Sequence, residues 1–530
     1  MIFSRRPALP STVTADLPEQ LLNTHLRRTD WRFLLPMPHP GRVFCRAGQD
    51  LAESVRSIAG ELVTSGATGD CDLAVAEDPD EDTLAELLVA LRAGGACYTE
   101  WRRGIGGRRS VERRLRAAGF TDVTCYRPSP PFPELPVYWI PLGAAGAAAY
   151  VRSRRRLRGG RLRRLARAML RVVRNVPRGR RWSTICAIAR RPEKAQSPGV
   201  VSAGWLQESW PASDLGAAPQ RCSTLLVTGG PRSVSKVVLL GFAEPSPVPV
   251  IAVKAPRVAG AERGILQEGT VLADLTGSRS RLPGIPRLLF RREIEGVPIL
   301  GETALAGRPL ENLLTRSSLR RWSIRVTDWL VALAGEAVIQ PVEHWRKKII
   351  DPVLHRFREH FGEVVDQGML RDAESMIQAT GPLPIVPEQR DFGPWNLLVT
   401  PTGELAVLDW ESASLEGLPA LDLLYFLAYA SFKVDGAHRL QDRIASYRRS
   451  LNPSTPTGAV RRDCLSLYQS SLGLDSGRLA PIRALVWLIH AQSDYEHAMA
   501  DAGGRPPADV LKGSLFLALW QAEMRLLAGG

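Results

Sequence analysis

Between positions 389 and 411 the chain reads Gln389-Arg390-Asp391-Phe392-Gly393-Pro394-Trp395-Asn396, then Leu397 to Thr400, a Pro401-Thr402-Gly403 turn, Glu404 to Leu408, and Asp409-Trp410-Glu411. No other stretch of the 530 residues constrains the fold as tightly. The apolar runs on either side of the turn predict a short hairpin. That hairpin returns Asp409 beside Asn396, so two oxygen donors from distant positions converge. A carboxylate and an amide oxygen suit a small hard cation such as magnesium, which takes few ligands from the protein and fills its shell with phosphates and water. Asp391, five positions before Asn396, is left to orient or deprotonate a hydroxyl. Together the three residues form a constellation suited to phosphoryl transfer. The alternative is a polar loop and a turn sharing these residues by chance, and it must explain many coincident positions.

A chain of this length is too long for one core, so several domains are expected. Hydrophobic content of 45% and charged content of 23% are ordinary for a folded soluble protein. Seven cysteines are scattered singly with no CxxC pair, which suits reduced thiols and argues against a disulfide framework or a zinc site. Met1 to Arg6 leads into Pro, Ser and Thr, not an apolar stretch, and the longest uncharged run, Leu135 to Val151, is broken by prolines and glycines. The expected location is cytoplasmic.

The net charge of +15 is a local feature. Residues 151–182 hold fourteen arginines and no acid, and the remainder carries only +1. Within it, positions 161–175 place Leu162, Leu165, Met169 and Val172 at helical spacing with arginines between. This predicts a basic amphipathic helix that could meet an anionic membrane surface or an acidic partner. The plainer reading is a solvated helix whose apolar stripe packs on its own domain. The arginines lack an interleaved set of stacking aromatics, so no specific nucleic acid is expected.

In residues 1–195, predicted strands at 71–76, from 96, at 122–126 and at 184–189 alternate with helices at 82–92 and 110–118, which implies a parallel or mixed α/β sheet. The Arg-rich stretch 151–182 sits between the last two of these strands as an insertion. The strand at 71–76, Leu91-Arg92-Ala93-Gly94-Gly95, and Leu115 to Val123 resemble the C-terminal part of class I methyltransferases. That resemblance implies a Rossmann-like domain. The only counterpart of a glycine-rich cofactor turn is Gly41 to Gly48, with no room for the full unit before residue 71. A degenerate domain without methyl transfer is expected.

Residues 196–220 are rich in Pro, Ser, Gly and Ala and read as a linker, although Trp205 and Trp210 are costly to expose. From 221 the pattern changes to hairpins, with strands at 223–228, 234–242 and 248–255, a helix over 261–275, and a further hairpin at 287–293 and 297–302. After Pro309 helical patterning dominates, interrupted by the hairpin at 397–408.

Residues 221–530 resemble the aminoglycoside phosphotransferase and choline kinase family. The residues that carry this are Arg390 to Leu398, Leu408-Asp409-Trp410-Glu411, and Gly417-Leu418-Pro419-Ala420-Leu421-Asp422-Leu423. The resemblance implies an α+β two-lobed protein-kinase-like domain, with a nucleotide lobe at 221–305 and a catalytic lobe at 306–530. By it, Asp391 is the catalytic base, Asn396 and Asp409 are the magnesium ligands, and Asp422 braces the catalytic loop. The family usually carries His-Gly-Asp where this chain has Gln389-Arg390-Asp391. The histidine is mainly a scaffold, so Gln389 is expected to take over its hydrogen bonds.

In the nucleotide lobe, Lys254 at the end of Pro249 to Lys254 resembles the third-strand lysine that reaches the nucleotide's phosphates, and Glu268 is placed to pair with it. Gly229 and Gly230 begin a turn that lacks the full glycine-loop pattern. The base of ATP or GTP is expected near the backbone of Glu302-Thr303-Ala304, by analogy with the fold. Residues 431–530 hold nine acids and twelve lysines and arginines, a balance unsuited to a polycationic acceptor. His490, Asp494 and His497 lie at helical spacing, and a polar helix face explains them better than a metal site.

The sequence thus predicts an ATP-dependent O-phosphotransferase acting on a hydroxyl of a sugar, glycan precursor or other small metabolite, with magnesium as cofactor. The rival is a catalytically silent kinase-like scaffold docked to a membrane or anionic polymer through the basic helix.

Overall fold

In the first two thirds of the chain, short runs of Val, Ile, Leu, Ala and Cys bounded by Gly, Pro and Asp specify strands. The computed structural model describes residues 19–102, 107–157, 184–193, 210–229, 236–258, 261–294, 296–502 and 505–528. The basic helix expected at 161–175, Gly230, and most of the expected linker lie outside these residues. By contacts the chain divides into two units, one of residues 1–269 and 287–304, the other of residues 270–286 and 305–530.

Twelve strands of the first unit form one sheet. They are β1 (Arg42–Arg46), β2 (Glu61–Val63), β3 (Cys71–Glu77), β4 (Leu91–Trp101), β5 (Thr121–Ser129), β6 (Tyr138–Pro141), β7 (Ile185–Arg190), β8 (Cys222–Val227), β9 (Lys236–Ala243), β10 (Pro249–Pro256), β11 (Leu288–Ile294) and β12 (Val297–Thr303). Their order is β11-β12-β10-β9-β8-β6-β5-β7-β4-β3-β1-β2. Strands β2, β1, β3 and β4 are parallel. β7 runs antiparallel between β4 and β5, and every pair from β5 through β6 to β12 is antiparallel.

The sequence reading separated residues 1–195 from 221–305, yet the sheet is continuous across that boundary. Tyr138 of β6 stands opposite Val227 of β8, and Trp139 opposite Leu226. One core cluster runs through both parts, from Trp31, Tyr98 and Trp139 to Leu226, Val237, Ile251, Val253 and Ile299. Trp210, in the expected linker, packs against this core and donates its indole N–H to Gly216 O at 3.0 Å.

Strands β1, β2 and β6 are absent from the sequence reading. β2 has three residues with no buried face, and β6 lies in a stretch broken by prolines and glycines. Too few residues remain in either to show a period. The seven cysteines are all free.

The second unit is mainly helical, with two three-stranded sheets. The hairpin β16 (Leu397–Val399) and β17 (Leu405–Val407) pairs with the two-residue strand β13 (Arg308–Pro309). The other sheet joins β14 (Val338–Gln340), β15 (Leu383–Glu388) and β18 (Ser414–Gly417). This sheet corrects the expectation that only the 397–408 hairpin interrupts the helices. β15 reads Leu-Pro-Ile-Val-Pro-Glu, and two prolines count against a strand in any pattern reading. Its last residue, Glu388, leads into the stretch from Gln389 to Asn396. Among the described residues no helix is long and apolar enough to cross a membrane.

Candidate active site

The loop from Glu388 to Asn396 is fixed by packing on one side and by hydrogen bonds on the other. Phe392 and Trp410, both fully buried, lie against Trp329 at ring separations of 5.8 and 6.4 Å. Asp422, at the start of the helix Leu421–Asp435, accepts the backbone N–H of Gln389 at 2.6 Å and of Arg390 at 2.9 Å. Burial, with the neighbouring Glu388, pushes the Asp422 carboxyl up to about 7. Asp422 is the residue that the sequence reading named as a brace of this loop, and its two bonds tie the helix start to Gln389 and Arg390.

Gln389 makes three bonds of its own. Its Nε2 donates to Leu408 O at 3.1 Å and Asp409 O at 2.5 Å, and its Oε1 accepts the N–H of Asp391 at 2.9 Å. One fully buried amide therefore ties the Asp391 loop to the Asp409 backbone. Arg390 and Asp409 both adopt left-handed backbone angles, with φ of 69° and 58°. Such angles cost a non-glycine residue roughly 1–2 kcal/mol. At Arg390 the Asp422 bond and an Nε–Glu388 contact of 2.9 Å offset it.

Asn396 donates its amide N–H groups to Asp391 O at 2.9 Å and Asp391 Oδ2 at 2.8 Å. Both amide protons are spent, and the Oδ1 oxygen remains as an acceptor. The backbone N–H of Leu408 donates to Asn396 O at 2.8 Å, which brings the Asp409 end of the hairpin beside Asn396. Burial raises the Asp391 carboxyl to about 6, with Asp409 and Glu411 adding to the shift while bonds from Trp395 and Asn396 oppose it.

Beside Asp391 stands an aromatic wall that the sequence reading missed. Tyr425 donates to Asp391 Oδ1 at 3.5 Å. Trp395, 38% exposed, meets Tyr429 edge-on at 4.8 Å. Its ring folds back over Gly393, where an added Cβ would lie 2.2 Å from it. His490 stacks on Tyr425 at 4.1 Å, and burial lowers its pKa to about 3, so it is neutral at pH 7. The expected polar helix face is corrected here, because His490 belongs to an aromatic cluster. Asp494 accepts from Ser514 at 2.9 Å. The side chain of His497 lies outside the description. The tyrosines sit at i and i+4 of a helix buried nearly all round, which hides the facing set in sequence.

In the first unit, Lys254 on β10 is buried between two carboxylates. Its Nζ lies 2.6 Å from Glu268 Oε1 and 2.8 Å from Glu302 Oε1. Glu268 comes from the helix Glu262–Ser278 and is fully buried. Lys236 of β9 lies 3.8 Å from the other Glu268 oxygen. Glu302 was expected to offer its backbone, and its side chain was not foreseen. The N–H of Ala304 donates to Val250 O at 3.3 Å, so that amide is already bonded. Gly229 is exposed at the end of β8, one residue before the undescribed segment.

No family model matches the chain, and no curated protein matches it. Solved structures similar to it include a thermostable mutant of aminoglycoside phosphotransferase APH(4)-Ia in ternary complex with ADP and hygromycin B. It is 15% identical, with a TM-score of 0.37 over 60% of this chain and 98% of that one. The GDP and kanamycin complex of APH(2")-IIia is 13% identical, with a TM-score of 0.36 over 60% and 97%. A choline/ethanolamine kinase family protein from Mesorhizobium loti is 13% identical, with a TM-score of 0.34 over 61% and 100%. The neighbours are thus aminoglycoside phosphotransferases and a choline/ethanolamine kinase family protein, at a likeness that leaves the reading of the site to its own geometry.

Proposed function

We propose that this chain is a nucleotide-dependent O-phosphotransferase acting on a hydroxyl of a small molecule. The observation that carries the reading is the Asp391–Asn396 contact. It spends the amide protons of Asn396, which leaves its Oδ1 as a hard oxygen donor, and it holds Asp391, whose carboxyl burial raises to about 6. In the proposed reaction the acceptor O–H gives its proton to Asp391, the oxygen bonds to the γ-phosphorus, and the bond from that phosphorus to the bridging oxygen breaks. A base with a pKa near 6 is ionised at pH 7 and still accepts a proton readily.

The residues fit magnesium. Asn396 Oδ1 and Asp409 would hold it, and the ion, when bound, supplies neutralisation of phosphate charge. Lys254 is the candidate for the α- and β-phosphates of ATP or GTP. Its partners Glu268 and Glu302 hold its Nζ in place. The acceptor is proposed to be a sugar, a glycan precursor or a similar hydroxyl compound. Trp395, Tyr425 and Tyr429 beside Asp391 offer apolar faces with polar tips, which suit a ring that has both. Gln389 supplies three bonds to the loop, so the loss of the family histidine does not leave the loop unbraced. Residues 1–195 are proposed to carry no methyl transfer.

The test is binding of magnesium–ATP and magnesium–GTP by calorimetry and thermal melting. Saturable binding with a rise in melting temperature is expected. Absence of both with either nucleotide would sink the reading.

A further inference from the structure

Three residues after Lys254, just beyond β10, the side chain of Arg257 is fully buried. A guanidinium is stable in such a place only if its N–H groups find acceptors. Its partner is Asp30, 227 residues away and equally buried. Nε meets Oδ1 at 2.9 Å and Nη2 meets Oδ2 at 3.1 Å, a two-pronged contact that fixes orientation as well as distance. The same Nη2 lies 3.3 Å from the carbonyl of Thr228, the residue before Gly229. Arg32 closes the arrangement by donating to the carbonyl oxygen of Arg257 at 2.5 Å.

Asp30 and Arg32 share the single 3-10 turn Asp30–Leu34. That turn is anchored elsewhere in the same unit. Trp31 stacks on Tyr98 of β4 at 3.7 Å with planes 2° apart. Arg28 pairs with the buried Glu100 of β4 at 2.7 Å, and Tyr98 donates to Glu100 at 2.7 Å. One segment near the start of the chain therefore grips β4 on one side. On the other it holds the end of the strand that carries Lys254, and Thr228, the residue before Gly229.

We propose that Asp30, acting through Arg257, is a positioning residue for the nucleotide. By fixing the end of β10 and the carbonyl of Thr228, it sets where Lys254 and Gly229 stand. The segment from Arg28 to Leu34, anchored on β4, then acts as a built-in brace of the nucleotide lobe. The nucleotide part of this inference rests on the phosphate role proposed for Lys254, whereas the brace rests on the contacts alone.

The test compares full-length wild type with Asp30→Asn, which keeps the shape and removes the charge. Amide hydrogen exchange is the readout that needs no turnover. Exchange across residues 249–258 should rise about tenfold or more in the variant, with β3 unchanged. Equal exchange across 249–258 in the two proteins overturns the brace. Arg257→Lys, which keeps the charge and loses the two-pronged contact, should shift exchange the same way by less. It serves if Asp30→Asn does not fold. For the nucleotide role, the dissociation constant for magnesium–ATP should weaken about tenfold in the variant, with the acceptor KM within about twofold of wild type. An unchanged nucleotide constant, or equal changes in both constants, overturns that role. A wild-type chain that binds no nucleotide overturns the phosphotransferase reading instead, and the exchange comparison still decides the brace.

Discussion

The Asp391 loop of the second unit and the Lys254 cluster of the first both gather charged side chains, but with different balance. Around the loop, carboxylates predominate: Glu388, Asp391, Asp409, Glu411 and Asp422 against Arg390. Burial, and after it the neighbouring carboxylates, push Asp391 and Asp422 upward, which suits a proton acceptor and a cation site. Around Lys254, each charge meets its opposite: Lys254 with Glu268 and Glu302, Arg257 with Asp30. Buried pairs of this kind hold geometry more than they add stability. On the proposed function, the first region supplies the chemistry and the second holds position.

Substitutions that remove an acid from the loop should have the largest effects on rate and small ones on folding. Asp391→Asn and Asp409→Asn are each expected to lower turnover by at least ~10²-fold in steady-state assays. The melting temperature of Asp391→Asn should stay level or rise, because a desolvated charge is removed. A large fall in melting temperature with near-normal turnover would place Asp391 among the structural acids.

Lys254→Met should do the reverse of the comparison's first half. The nucleotide KM is expected to rise ~10- to 100-fold, as suits the loss of one charged hydrogen bond. The melting temperature should fall, because Glu268 and Glu302 lose their shared cation. A smaller effect is expected from Gln389→Ala, about tenfold in turnover. Gln389→His should recover most of it if scaffolding is the residue's role. A silent Gln389→Ala would mean that Asp422 alone holds the loop.

The pH dependence follows from the direction of the Asp391 shift. The ionised form is the base, so the rate should rise with pH through about 6 and level above it. The same shift opposes stability. Between the ordinary carboxylate value of 3.8 and about 6, the folded chain binds the proton more tightly than the unfolded one, so this group's contribution falls as pH rises through that window. A rate that is flat from pH 5 to 8 would remove Asp391 from the proton-accepting role.

The two regions also differ in how far the sequence discloses them. The loop is local: Asp391, Asn396, Asp409 and Asp422 lie within 32 residues, and the residues between form the hairpin and helix start that bring them together. The strands that carry Lys254 and Glu302 were also legible, within a residue or two of their ends. The Asp30–Arg257 pair was not, because a single acid and a single arginine far apart carry no period and no motif. The continuation of the sheet from β6 to β8 escaped for a related reason. Four residues flanked by prolines reveal nothing of which edge they join. The aromatic wall beside Asp391 was hidden in a helix apolar all round, and Glu302 was read only for its backbone.

The central claim is that Asp391 accepts the proton of an acceptor hydroxyl during phosphate transfer. The direct measurement is transfer of labelled γ-phosphate from magnesium–ATP to a panel of neutral polyhydroxylated acceptors, with wild type and Asp391→Asn run side by side. The account predicts labelled acceptor with wild type and at least ~10²-fold less with the variant, at undiminished nucleotide binding. Equal transfer by the two proteins would contradict it.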